Sequence, residues 1–184
     1  MIFEGEYKNG RKNGNGKEYD IYGDLLFEGE YINGKRNGKG KEYSAGGKLL
    51  FEGTYLDGKR WNGIERGYNF EVEYINGEIK GKGKEYYKDG KLLFEGEYLN
   101  GYRWNGKEYD KNGNIKFEIK NGKGNGEQYF NNFITKFEAE FQNGKFHGKV
   151  KEFNYKVLVF EGEYNKWPKK WKKKRIFKGW YVSW

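Results

Sequence analysis

The residues most able to do chemistry in this chain are glutamates spaced two apart. Glu28 and Glu30 flank Gly29, and the same spacing returns at Glu4 and Glu6, Glu95 and Glu97, and Glu161 and Glu163. Paired carboxylates can act as acid and base on a glycosidic bond. An active site is normally unique, however, and these pairs recur in nearly every segment. They point instead to cross-strand pairing with the many lysines, each pair stabilising by about 0.2–1 kcal/mol. His147 is the only histidine and lies in Lys145-Phe146-His147-Gly148, where a solvated turn residue is expected. Ser44 and Ser183 are the only serines, and neither has a base nearby in sequence, so a Ser/His/Asp relay has no support. Gly38-Lys39-Gly40 and Gly81-Lys82-Gly83 lack the Ser/Thr and the helix that a phosphate-cradling loop needs. With no cysteine there is neither a disulfide nor a thiolate metal site. No cofactor, metal or small-molecule substrate is expected.

The elements that carry these residues are copies of one another. Phe27-Glu-Gly-Glu-Tyr31 returns as Phe3-Glu-Gly-Glu-Tyr7, Phe51-Glu-Gly-Thr-Tyr55, Phe94-Glu-Gly-Glu-Tyr98 and Phe160-Glu-Gly-Glu-Tyr164. Looser copies begin at Phe70, Phe117 and Phe137, so the anchor phenylalanines step by 24, 24, 19, 24, 23, 20 and 23 residues. A near-fixed period of this size is the signature of a repeat array. Within one copy, Phe27, Gly29 and Tyr31 share one face of a strand and Glu28, Glu30 and Ile32 the other, because side chains alternate. Asn33-Gly34 supplies a tight turn, since both residues tolerate positive φ. A second strand carries Lys41-Glu42-Tyr43, and Ala45-Gly46-Gly47 turns the chain again. Each copy is therefore a β-hairpin. The expected fold is all-β: an elongated, single-layer antiparallel meander of about eight stacked hairpins.

Three details sharpen that expectation. Mid-strand glycines such as Gly5, Gly29, Gly53, Gly96 and Gly162 weaken a strand, so a neighbouring group must approach closely, and an aromatic ring of the next copy is the expected visitor. Phe117-Glu-Ile-Lys-Asn-Gly122 lacks two residues, a deletion that keeps every side chain on its face. Phe177-Lys-Gly-Trp-Tyr181 keeps the frame without its glutamates and reads as a divergent capping strand, placed after an insertion at Trp167–Arg175.

Aromatics number 37 (6 Trp, 17 Tyr and 14 Phe), so the core must come mainly from rings. The formal net charge of +9 is unevenly placed. Eight of the 36 bases lie in residues 165–184, which hold no acid, leaving 28 bases against 27 acids in residues 1–164. That asymmetry divides the chain into a near-neutral repeat array, 1–164, and a basic-aromatic C-terminal segment, 165–184. No signal peptide or bilayer-length apolar run is present, so a cytoplasmic protein is expected, with a peripheral membrane location as the alternative.

The Glu-Gly-Glu-Tyr core, the Asn-Gly-Lys turn and the Gly81-Lys-Gly-Lys-Glu-Tyr-Tyr87 run resemble MORN repeats, and more closely the bacterial variant of the YwqK antitoxin family. The resemblance covers residues 2–164. It implies an elongated, twisted, groove-forming antiparallel sheet, with roles in protein binding, membrane attachment or an antitoxin-like function. The basic tail departs from the pattern, as do the Arg-Trp-Asn-Gly stretches at Arg60–Gly63 and Arg103–Gly106, which read as inserts.

A non-enzymatic scaffold for a protein partner is the leading expectation. The aromatic stripe, Tyr31, Tyr55 and Tyr98 included, would form the core, and part of it could line an open groove. Trp and Arg dominate binding hot spots, which singles out Arg60, Trp61, Arg103 and Trp104 as partner contacts. Attachment to an anionic membrane is the alternative, through Trp167, Lys169, Lys170, Trp171, Lys172, Lys173, Lys174 and Arg175. Nucleic-acid binding by the same residues ranks third.

Overall fold

The computed structural model describes residues 2–130, 135–164 and 171–174. They form strands only. The hairpins are β1 (Ile2–Lys8) with β2 (Arg11–Tyr19), β3 (Leu25–Ile32) with β4 (Lys35–Tyr43), β5 (Leu49–Leu56) with β6 (Lys59–Arg66), and β7 (Phe70–Ile75) with β8 (Glu78–Tyr86). Then come β9 (Leu92–Leu99) and β10 (Tyr102–Tyr109), β11 (Ile115–Lys120) and β12 (Lys123–Phe130), and β13 (Thr135–Gln142) and β14 (Lys145–Asn154). β15 (Val157–Tyr164) and β16 (Trp171–Lys174) complete the series. Strand order is chain order, so the topology is an open antiparallel meander. The chain divides into two compact units: Met1–Glu85 with Tyr98–Gly101, and Tyr86–Glu97 with Tyr102–Trp184.

The turns explain the order. Asn9, Asn33, Asp57, Asn76, Asn100, Asn121 and Asn143 all hold φ between 51° and 55°, each followed by a positive-φ glycine. That is the geometry of a type I′ turn, whose twist matches its strands. Every one of these turns after the first is also tied to the hairpin before it. The N–H of Gly34 donates to the Lys12 carbonyl at 2.8 Å, that of Gly58 to Arg36 at 2.8 Å, and that of Gly122 to Trp104 at 2.7 Å. A turn thus satisfies a strand carbonyl of its neighbour, and stacking follows from local chain.

In the first unit the rings interlock edge to face. Tyr31 meets Phe3 at 5.2 Å and Phe27 at 5.5 Å, and Tyr55 meets Phe27 at 5.2 Å and Phe51 at 5.4 Å. Such T-shaped pairs add about 0.5–1.5 kcal/mol each beyond the area they bury. Tyr31 and Tyr55 therefore each lock two hairpins together. Tyr7, with no preceding ring, is 59 % exposed, whereas Tyr31 is 2 % exposed.

The glycines are covered differently from the sequence expectation. A Cβ on Gly29 would meet the Lys39 carbonyl at 2.5 Å, the Gly40 Cα at 2.7 Å and the Phe27 ring at 2.8 Å. The visitor is thus the phenylalanine of the same strand, folded over its own glycine. The next copy's tyrosine does come close, but to the second-strand glycine: Tyr55 lies 3.1 Å from a Cβ on Gly40, and Tyr98 2.5 Å from one on Gly83.

Two irregular copies are clarified. Ile119 stands opposite Gly124 one step before the turn pair Lys120–Lys123, the register place that Tyr31 takes opposite Arg36, and it is fully buried. The two-residue deletion therefore puts an aliphatic side chain where a tyrosine would be. The Arg-Trp-Asn-Gly stretches are not inserts. Gly63 follows Phe51 by 12 residues, whereas Gly40 follows Phe27 by 13. Their bulge is one residue shorter, so the register moves by one step between Thr54 and Tyr55 where it moves by two between Gly29 and Tyr31.

Candidate functional site

Each unit presents two sheet faces of different chemistry. On the ring face of the first unit, cations lie flat over the phenylalanines: Lys12 over Phe3 at 4.4 Å, Arg36 over Phe27 at 4.0 Å, and Arg60 over Phe51 at 4.9 Å. Carboxylates of the second strands bridge them. Glu18 accepts from Lys12 and Arg36, both at 2.6 Å, and Glu42 accepts from Arg36 at 2.6 Å and from Arg60. Arg60 continues to Glu65 at 2.9 Å. The result is an unbroken series, Lys12, Glu18, Arg36, Glu42, Arg60, Glu65, laid over the aromatic core. Burial alone pushes the Glu18 carboxyl up, but the bonds and charges of Arg36 and Lys12 outweigh it and hold it below its ordinary value. Burial pushes the hydroxyls of Tyr31 and Tyr55 far above theirs.

The second unit carries the same motif in a closed form. Arg103 and Glu108 are each 1 % exposed and pair at 2.9 Å, with Arg103 over Phe94 at 4.4 Å. Arg103 also donates to the Glu127 carbonyl at 2.9 Å, and the Glu127 N–H donates to Glu108 at 2.9 Å. Glu127 in turn holds Lys116 and Lys136. The place that Arg60 takes next to Glu42 falls here to Gly124, so Glu108 has one cation where Glu42 has two. Among the described residues its Oε1 has no partner. Burial pushes the Glu108 carboxyl up to about 7, against the opposing pull of Arg103. No cluster of metal-ligating side chains occurs among the described residues.

The opposite face is open. In the first unit it is cut by a trough of about 700 Å³ that runs across five strands. Gly5, Gly16, Gly29, Gly40 and Gly53 pave the floor. One wall is the row Glu4, Lys17, Glu28, Lys41 and Glu52, whose members stand opposite one another in register and alternate in charge. The other wall holds Asn15, Glu30, Lys39 and Thr54. The paired glutamates thus do two jobs. Glu28 takes the Tyr43 hydroxyl at 2.7 Å and faces Lys41 across the ladder, while Glu30 accepts the backbone N–H of Lys39 at 3.1 Å. That last bond caps the bulge at Gly38, whose φ of 86° suits glycine and whose missing Cβ leaves room for the carboxylate. The second unit has a smaller trough of about 400 Å³ floored by Gly126, Ala139, Val150 and Gly162.

A protein-family model, the MORN repeat, matches residues 3–20, 27–48, 73–91 and 137–149. These four segments are MORN repeats. No curated protein matches the chain. The same register extends this MORN frame beyond the matched segments, as in Phe51 opposite Glu65 and Gly53 opposite Gly63.

The residues singled out from sequence are mostly absorbed by the fold. Arg60 and Arg103 sit in the ion-pair series, and Tyr31, Tyr55 and Tyr98 are buried. Trp61 and Trp104 are half-buried and lie over turn glycines of the next hairpin, 3.2 Å from a Cβ on Gly77 and 2.6 Å from one on Gly122. The aromatic stripe, part of which could have lined a groove, is covered in the first unit by the cation and carboxylate series. His147 is exposed, on β14 rather than in a turn. The insertion expected at Trp167–Arg175 contains a strand instead. Trp171–Lys174 pair with β15, which sets Lys172 opposite Glu163 and Lys174 opposite Glu161. Trp167, Lys169, Lys170, Arg175 and the capping strand at Phe177–Tyr181 lie outside the described residues. Sequence reasoning missed Glu18, Glu42, Glu108 and Glu127. The signal for the first three was the Lys-Glu-Tyr tripeptide at Lys17–Tyr19, Lys41–Tyr43 and Lys107–Tyr109, whose glutamate shares the face of the glycine two residues before it, whereas Glu127, in Gly126-Glu127-Gln128, lies outside that pattern.

Proposed function

We propose that this chain is a non-catalytic interaction module that holds a segment of another protein in the trough of its first unit. One observation carries the reading: the trough face is open and walled by alternating charge, while the ring face is closed by its own ions. A floor of hydrogen-bonded backbone is rigid, so little ordering entropy is lost on docking. Charged walls would set register and orientation more than affinity. The test is affinity capture from a lysate with the wild-type chain and with Glu28→Lys/Lys41→Glu, which exchanges two charges of the wall without touching the core. A partner retained by the wild type and lost from the variant supports the reading. Equal recovery by both chains would overturn it.

A further inference from the structure

The wall row of the first unit has a period that selects its occupant. Neighbouring strands lie about 4.8 Å apart, so the like charges Glu4, Glu28 and Glu52, two strands apart, recur every ~9.6 Å. A polyproline II chain turns once in three residues with a rise of about 3.1 Å, which brings one face back every ~9.3 Å. An α-helix repeats a face after two turns, about 10.8 Å, and an extended strand after two residues, about 6.7 Å. The floor adds a chemical condition. Gly16, Gly29, Gly40 and Gly53 stand opposite one another in the ladder, so their main-chain groups are engaged within the sheet. An incoming peptide N–H laid on them would be desolvated without a bond, and proline has none to lose. In the row, three carboxylates outnumber the two ammonium groups of Lys17 and Lys41.

We infer that the trough takes a polyproline II segment with proline and lysine in a three-residue repeat, prolines on the glycine floor and lysines against Glu4, Glu28 and Glu52. This rests on the reading of the trough as a docking groove. The probe is a fluorescein-labelled peptide of four Pro-Lys-Gln triplets, followed by anisotropy on the whole chain. Binding is expected, about tenfold weaker for a Gly-Lys-Gln peptide and for the Glu28→Lys chain. Lys17→Glu adds a carboxylate to the row and should tighten the same peptide, a gain that a misfolded chain cannot imitate. Glu118→Lys, exposed in the second unit, should leave binding unchanged. Equal binding of a Pro-Glu-Gln peptide, equal binding of Gly-Lys-Gln, or no effect of Lys17→Glu would overturn the inference. If every peptide fails while lysate capture still depends on Glu28 and Lys41, the partner class is wrong and the docking groove stands. If capture is also indifferent to them, both fall.

Discussion

The two units treat one motif in opposite ways. In the first, each bridging carboxylate is shared by two cations at a half-open surface: Glu18 between Lys12 and Arg36, and Glu42 between Arg36 and Arg60. In the second, Arg103 and Glu108 are sealed from solvent and Gly124 takes the place of the next arginine. Sharing makes each ion replaceable, because a remaining partner still neutralises its neighbour. Sealing makes each ion indispensable, because a buried charge left alone has neither water nor a counterion. A repeat sequence can therefore look uniform while its energetics are concentrated at one pair.

The sharpest way to break that contrast is to remove one arginine from each unit. Arg103→Met strands Glu108 and should cost about 3–5 kcal/mol in denaturant melts. Arg36→Met leaves Glu18 with Lys12 and Glu42 with Arg60, and about 1–2 kcal/mol is expected. Adding Glu108→Leu to Arg103→Met should recover most of the larger loss. Equal costs in the two units would dissolve the distinction.

Acidity separates the units next. The Glu108 carboxyl is raised from 4.5 to about 7, so the folded state binds its proton more tightly than the unfolded chain. Its burden on stability is absent below about pH 4.5, grows between pH 4.5 and 7, and reaches about 3 kcal/mol above that. The Glu18 carboxyl is lowered, so its contribution is present above the unfolded value and is lost as pH falls toward the folded one. Urea melts from pH 4 to 8 should show Glu108→Gln gaining stability relative to wild type as pH rises. A parallel pair of curves would remove the argument from burial.

Glycine substitutions should not separate the units, and so act as a control on the shared frame. Gly29→Ala in the first and Gly96→Ala in the second both drive a methyl into the facing carbonyl, 2.5 Å and 2.0 Å away, and should each lose about 1–3 kcal/mol. Gly46→Ala, with only the Ser44 hydroxyl at 3.9 Å, should stay within about 0.5 kcal/mol of wild type. Thermal melts that rank Gly46→Ala with the other two would undo the close-approach account.

The smallest effect expected concerns the turn ties. Asn62 and Asn105 each accept a backbone N–H, from Asn76 and Asn121, at 2.8 Å. Replacing either by Ala should cost about 0.5–1.5 kcal/mol, alike in both units. Unequal losses would show that the units also differ along the turn edge.

The sequence by itself determined the hairpins, their order, the turn type, the ring face and the neutrality of the two-residue deletion at Phe117. These follow from rules acting within a few residues: alternation, positive φ at Asn-Gly, and the period of the anchor phenylalanine. Tertiary structure decided the rest, because it depends on what comes opposite what. A bulge of one or two residues fixes which side chain meets Phe27, and no local rule says that it is Arg36. Whether a glutamate is shared or sealed depends on the residue one hairpin away, arginine at 60 or glycine at 124. The trough runs unbroken across five strands because the rows on either side of the glycines fall into line, which only the register across the sheet can bring about.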